Sequence, residues 1–342
     1  MKAVLTWYAT SAEIERFRKV MPPNSTLFAP LTRPHLSRFE VRFDDLAHEV
    51  ADADVMIGWA VPEGIFPLAK ALKALVWCHA GCDELDMPML KSRGVQVANI
   101  RGANSVAVAE HAMALLLAVA KRIVLKHQAV LDAHWEPPGG RPEYEGVLLQ
   151  NKILLVVGLG AIGTAIAKRA AAFDMKVIGI RRHPEKGHEI AEDIYGPAEL
   201  NKALGLADFI MLAAPLTKET TQMIDAGAIS AMKPTAFLIN IARGNMIEER
   251  PLYEALSSNH LAGYASDVWW FYSNAIPATY HFPIPSRTGL QRLKNVVATG
   301  NQASAGVAEV KEQLIIDAAV KNFAAFVTKK PMPGLINLDL GY

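Results

Sequence analysis

Short apolar runs alternate along most of the chain with longer stretches whose apolar residues return every three or four positions. The first pattern suits strands buried on both faces, the second suits helices lying against them. In the first hundred residues, Ala3-Val4-Leu5-Thr6-Trp7, Asp54–Gly58, Leu75–Cys78 and Val95–Val97 predict strands. Ser11–Val20 and Pro67–Lys73 predict helical segments between them. Strand and helix in alternation imply a parallel sheet covered on both faces.

One helix rich in Ala and Leu is predicted over Ser105–Gln128. Lys121, Arg122 and Lys126 near its end read as the charge complement of a helix C-terminus. A polar, Pro- and Gly-rich stretch, Trp135–Gly146, leads to a second alternating series. Its strand candidates are Ile153–Val157, Lys176–Ile180, Asp208–Ala213, Ala236–Ile241, Ala262–Asp267 and Asn295–Thr299. Such a series is what a complete dinucleotide-binding domain requires. A long amphipathic helix is predicted over about 305–327. The fold class is therefore α/β, with two doubly wound parallel-sheet domains. The pattern alone leaves open whether the end of the chain returns to the first domain.

Composition narrows the partners. The 342 residues suit two domains of ordinary size. With 35 Lys and Arg against 34 Asp and Glu, there is no broad electrostatic reason to expect nucleic acid or an acidic membrane. The longest apolar run, Ala112–Ala120, falls short of the ~20 residues a bilayer span needs. No cleavable leader pattern follows Met1, and the two cysteines, Cys78 and Cys82, suit a reducing compartment. The expectation is a soluble cytoplasmic protein. Cys78-His79-Ala80-Gly81-Cys82 is not read as a metal site, because a structural zinc needs four ligands and no second cysteine pair exists.

The strongest motif is Gly158-Leu159-Gly160-Ala161-Ile162-Gly163, placed directly after the apolar strand Ile153–Val157. It opens a predicted helix with Ile162, Ile166, Ala170 and Phe173 on its apolar face. Gly158 permits the tight turn, Gly160 lets a pyrophosphate approach the backbone, and Gly163 lets helix and strand pack closely. The helix start supplies N–H groups and partial positive charge. The next strand, Lys176–Ile180, ends in Arg181 and Arg182 with no carboxylate, and Arg181 lies 18 residues past Gly163. A guanidinium there suits a 2′-phosphate and can stack on adenine. The cofactor expected is NADP(H).

The motifs that follow resemble the D-2-hydroxyacid dehydrogenase family. They are His79-Ala80-Gly81-Cys82-Asp83, Gly102–His111, Ala214–Thr220, Asn240-Ile241-Ala242-Arg243-Gly244, Asp267-Val268 and Gly334-Leu335-Ile336-Asn337. The resemblance implies a flavodoxin-like catalytic domain over 1–101 and 305–342, and a Rossmann cofactor domain over 102–304. A small anionic organic substrate would sit in the cleft between them. It also implies a homodimer, with Trp135 similar to a tryptophan that some relatives project into the partner subunit. By resemblance, Arg243 is the catalytic arginine that holds a substrate carboxylate and polarises the carbonyl. Ala80 and Gly81 match the pair whose N–H groups bind that carboxylate, and Asn104 looks like the substrate-contacting asparagine of formate dehydrogenases. Asp267 matches the residue that holds the nicotinamide amide, Ile241 and Ala242 would line the ring, and Pro215 falls in the cofactor-contacting stretch. His111 reads as structural.

The pattern breaks at the proton relay. The family's histidine position holds Asn301 and its glutamate position holds Tyr272, so both halves are replaced together. An amide cannot deliver a proton near neutral pH, and losing a placed general acid costs about 10²–10⁴ in rate. Three readings stay open. Another group supplies the proton, His79 first and Tyr272 or His281 after it. The reaction needs no relay, as in formate oxidation. Or the chain binds NADP without catalysis. The aromatic segment from Trp269 through Trp270, Phe271, Tyr272 and Tyr280 to Phe282 suggests a bulkier substrate.

Overall fold

A computed structural model describes residues 1–33, 37, 39–135, 137, 139–271 and 285–342, the side chains of 311 and 312 excepted. Tyr272, Tyr280, His281 and Phe282 lie outside the described residues. The chain forms two compact units. Among the described residues, one holds 1–104 and 308–342, the other 105–271 and 285–307.

The first unit is built on a parallel sheet of β1 (Lys2–Leu5), β2 (Thr26–Phe28), β3 (Val55–Gly58), β4 (Ala74–Trp77) and β5 (Gln96–Asn99). Their order is β2-β1-β3-β4-β5. The helices are α1 (Ser11–Arg18), α2 (Phe43–Leu46), α3 (Ile65–Leu68) and α4 (Met87–Ser92). α1 starts where a Thr10–Glu13 capping box satisfies its first N–H groups. β3 and β4 are buried along their whole length, which explains their unbroken apolar runs. β2 is a short, partly exposed edge, so it carries no apolar run and the pattern did not reveal it. The helix predicted over Pro67–Lys73 is only the single turn Ile65–Leu68, because Ala69 already leaves helical geometry. The chain's end belongs to this unit. Asn99 N–H donates to Gly334 O (2.9 Å) and Ile336 N–H to Val97 O (3.0 Å). Asn322 donates to Asn99 O and accepts from Gly334 N–H, both at 2.8 Å.

The second unit opens with α5 (Ser105–Ala120) and α6 (Ile123–Leu131). Its strands are β6 (Ile153–Val157), β7 (Lys176–Ile180), β8 (Asp193–Tyr195), β9 (Phe209–Leu212), β10 (Phe237–Asn240), β11 (Gly263–Ser266) and β12 (Val296–Ala298). All run parallel in the order β12-β11-β10-β9-β6-β7-β8. The direction of strand addition reverses between β6 and β9, the point at which doubly wound sheets open a ligand crevice. Five further helices follow: α7 (Ala161–Ala171), α8 (Leu200–Leu206), α9 (Ala226–Ala231) and α10 (Glu249–Ser257) in the second unit, and α11 (Ile315–Val327), entered by a π turn over Val310–Leu314, in the first.

Three expectations are corrected here. The single helix over Ser105–Gln128 is two helices. The break falls at Arg122, a non-glycine residue with φ +57°. Arg122 is also no solvated helix-end charge. Its Nη2 donates to Ala262 O at 3.2 Å and its guanidinium lies 5.5 Å from the Phe237 ring. Burial lowers its pKa from the ordinary value. Phe173 lies beyond the end of α7 and is exposed, so the apolar face stops at Ala170. Among the described residues no helix is long and apolar enough to cross a membrane. Cys78 and Cys82 are both buried free thiols, and burial pushes the Cys78 thiol up.

Candidate active site

The glycine turn has the geometry its sequence demands. Gly158 sits at φ +102°, and a Cβ there would lie 2.6 Å from Ala214 N. A Cβ on Gly163 would lie 2.0 Å from Gly158 O, so only glycine lets α7 start this close to β6. Nothing lies within 4 Å of the Cβ position of Gly160, the residue capping α7. That open space at a helix start, beside the exposed Ala161 and half-buried Ile162, fits a dinucleotide pyrophosphate.

Arg181 follows β7 next to this turn, since Gly158 N–H donates to Ile180 O at 2.9 Å. Its Nη1 donates to Gly187 O at 2.6 Å. Arg182 has a neighbour that no motif announced: Glu219 Oε2, 3.7 Å from its Nη2. Thr217 Oγ1 donates to that same oxygen at 2.7 Å. This bond first, then the residue's own backbone N–H, and to a smaller degree Arg182, hold the Glu219 carboxyl below its ordinary range. Glu219 lies in the loop after β9, where Thr220 Oγ1 donates to Pro215 O at 2.7 Å. The expected absence of a carboxylate holds for the strand end itself, while folding brings one in from another loop.

Arg243 stands in the turn after β10. The fully buried Asn240 shapes that turn, accepting from Ala242 N–H (3.0 Å) and donating to Arg243 O (2.9 Å). Arg243 Nη1 donates to Ala242 O at 2.8 Å, and Ile241 and Ala242 are buried beside it. Gly244 lies against the Trp269–Trp270 peptide. The two indoles fasten this edge of the unit. Trp269 Nε1 donates to Thr299 O at 2.7 Å and Trp270 Nε1 to Ile247 O at 2.8 Å.

Asp267 directly follows β11 and staples the loop after β12. Its Oδ1 accepts from Thr299 Oγ1 (2.7 Å) and Gln302 N–H (3.0 Å), and its Oδ2 from Ala303 N–H (2.9 Å). His111 Nε2, on α5, lies 3.0 Å from Thr299 Oγ1 and 3.4 Å from Asp267 Oδ1. Burial alone would raise the Asp267 carboxyl; the bonds from His111, Thr299, Ala303 and Gln302 outweigh it and hold it below its ordinary range. Within the stapled loop Asn301 adopts φ +55°, and its N–H donates to Asp267 O at 2.7 Å. Asparagine tolerates that left-handed geometry well. Asn240, Thr299 and Trp269 thus shape this edge, although the sequence offered none of the three as a site candidate.

In the first unit, His79, Ala80 and Gly81 follow β4. The His79 carbonyl accepts from Ile100 N–H (3.4 Å) and the Ala80 carbonyl from Asn99 Nδ2 (2.8 Å). In a trans peptide the N–H points opposite to the carbonyl. Ala80 N–H and Gly81 N–H therefore point away from β5, and neither has an acceptor among the described residues. Two such donors in sequence suit a carboxylate. The His79 ring lies with Nε2 2.8 Å from Trp59 O. Asn104, just before α5, is buried, and its Oδ1 has no partner among the described residues.

The sequence pattern of the D-isomer specific 2-hydroxyacid dehydrogenase NAD-binding domain matches residues 113–303. A glyoxylate reductase of Pyrococcus furiosus is 32% identical over 312 residues, covering 88% of this chain and 87% of that one. A D-3-phosphoglycerate dehydrogenase of Methanocaldococcus jannaschii is 33% identical over 270 residues, covering 76% of this chain and 48% of that longer protein. Among solved structures, the TT0316 protein of Thermus thermophilus superposes with a TM-score of 0.75 at 29% identity, over 98% of this chain and all of that one. The motif-bearing edges and these likenesses agree, and the chain belongs to the D-isomer specific 2-hydroxyacid dehydrogenase family of NAD(P)-dependent oxidoreductases.

Proposed function

We propose that this protein is an NADP(H)-dependent reductase or dehydrogenase of a small 2-oxo or 2-hydroxy acid, with a non-standard proton donor. The observation that carries the reading is that Arg243 stands at the carboxyl edge of the same sheet as an open glycine turn shaped for a dinucleotide. When bound, the nicotinamide ring supplies or accepts the hydride. The N–H groups around Gly160 to Ile162 hold the pyrophosphate, and Arg181 and Arg182 hold the 2′-phosphate. Asp267 orients the amide of the ring, and Pro215, Ile241 and Ala242 line its pocket. Arg243 grips the substrate carboxylate and polarises the reacting carbonyl, the Ala80 and Gly81 N–H groups bind that same carboxylate, and Asn104 contacts the substrate.

His79 supplies the proton in this reading. Its Nε2–H donates to the Trp59 carbonyl, so Nδ1 is the ring nitrogen that gains and releases the proton. Asn301 hydrogen-bonds the alkoxide without protonating it. A second reading, favoured by Asn104-Ser105, is hydride transfer that needs no protein-supplied proton, as in formate oxidation. The quaternary proposal is a homodimer in the cytoplasm. α6 and the chain after it expose Ile123, Val124, Val130, Leu131 and Trp135, the last at 80%, a patch suited to a second copy.

The test follows NADPH consumption with glyoxylate, hydroxypyruvate and phenylpyruvate in turn, and NADP⁺ reduction with formate, for wild type and His79→Gln. Turnover of a 2-oxo acid with a loss of about tenfold or more in H79Q supports His79 as donor. An unaffected variant removes it. Formate turnover alone favours the second reading. Cofactor binding without turnover on any substrate leaves a silent homologue and overturns the enzymatic proposal.

A further inference from the structure

The loop that carries Arg181 is closed at its base by a histidine no motif singled out. It runs from Arg181 to Ala191, and its far end enters the core of the second unit through Ile190 and Ala191. His188 Nδ1 accepts from both Ile190 N–H and Ala191 N–H, each at 3.2 Å. A nitrogen that accepts two N–H bonds carries no proton, so Nε2 carries it. Nε2 then donates to Thr164 Oγ1 at 3.0 Å. Thr164 is on the first turn of α7, directly after Gly163, and its N–H donates to Gly160 O at 2.8 Å. The imidazole therefore ties the loop to the helix that starts at the phosphate turn. The residue before it, Gly187, offers the carbonyl that takes Arg181 Nη1. Burial, and then the nearby Arg181, lower the pKa of His188, while Glu189 acts the other way; this favours the neutral ring that the bonds require.

We infer that His188 is a positioning residue for cofactor choice: it fixes Gly187 against α7, and Gly187 O in turn aims the Arg181 guanidinium at the 2′-phosphate of NADP(H). The inference rests on the cofactor reading proposed above. A guanidinium held on one side by a backbone carbonyl presents its remaining N–H groups in a fixed fork. A phosphate then meets a pre-organised donor set instead of one it must order itself. A ribose lacking the phosphate gains nothing from that order, so the effect is selective.

The experiment measures dissociation constants for NADPH, NADH, adenosine 2′,5′-bisphosphate and 5′-AMP by calorimetry on the full-length chain. The variants are His188→Ala, His188→Asn and Thr164→Val. In H188A the NADPH and bisphosphate constants rise about tenfold, the scale of one oriented charge-assisted bond, while those for NADH and 5′-AMP stay within about twofold. Asparagine offers an oxygen where Nδ1 stood, able to accept the same two N–H groups, but leaves Thr164 without its partner, so H188N shifts the ratio only about threefold, as T164V does. T164V removes only the Nε2 partner and shifts the ratio about threefold in the same direction; it carries the test should H188A not fold. An H188A or T164V protein with an unchanged ratio overturns the inference, as does an H188N that loses the ratio as fully as H188A. Wild type that binds NADPH and NADH equally overturns the cofactor reading, and the inference falls with it. A wild type that prefers NADPH, beside variants that keep the preference, overturns the inference alone.

Discussion

Replacing Asp267 by Asn tests whether its carboxylate holds the loop that carries Asn301. The carboxylate accepts from Thr299 Oγ1 and Gln302 N–H on one oxygen and from Ala303 N–H on the other, at 2.7 to 3.0 Å. Asparagine has one acceptor oxygen and one donor nitrogen. With its oxygen toward Thr299 and Gln302, its NH₂ meets the Ala303 N–H, donor against donor. One charge-assisted bond is lost and a buried N–H is left without a partner, at a cost of about 2–4 kcal/mol. A unit of this size loses about 2–4 °C per kcal/mol, so its melting point should fall by about 4–16 °C. Hydrogen exchange localises the effect: the Gln302 and Ala303 amides should lose protection first.

The pH dependence has a definite sign. The folded Asp267 carboxyl lies below its ordinary range, so its contribution is complete above the unfolded value of about 3.9 and disappears as pH falls through the lower folded value. The difference between wild type and D267N should therefore be full at pH 6 to 8 and shrink in acid. A D267N protein that melts within about 1 °C of wild type at pH 7, with unchanged exchange at Gln302 and Ala303, would refute the stapling argument.

Two further outcomes follow from packing. Gly163→Ala places a methyl 2.0 Å from the Gly158 carbonyl, so α7 must shift; calorimetry should show dinucleotide affinity lowered by about tenfold or more, with about 1–3 kcal/mol of stability lost in denaturant titration. Arg122→Ala removes the donor to Ala262 O and the group lying over Phe237; urea unfolding should show a loss of about 2–3 kcal/mol, against almost none for a solvated helix-end charge.

Much of the fold was legible because its information is local. β6 and β7 coincide with their apolar runs, and the other predicted strands of the second unit run one residue too long at each end. A strand buried on both faces must be apolar at every position, and a tight strand-to-helix turn must be glycine where a Cβ would strike backbone; both demands are written in consecutive residues. The edge strands β2 and β8 escaped because they are short and largely solvated, and so carry no such run, unlike the edges β5 and β12.

The apolar rhythm and the glycine spacing were enough to establish two parallel-sheet units and the position of the phosphate turn. What needed folding was every contact between residues far apart in the chain. Arg122 breaks a helix because Phe237 and Ala262 receive it, Glu219 meets Arg182 from another loop, and Asp267 closes a loop more than thirty residues on. His188 is locked by Thr164, 24 residues before it. Periodicity reports which face of an element is buried; the partner of a polar group depends on which elements become neighbours, and that is a property of the assembled sheet.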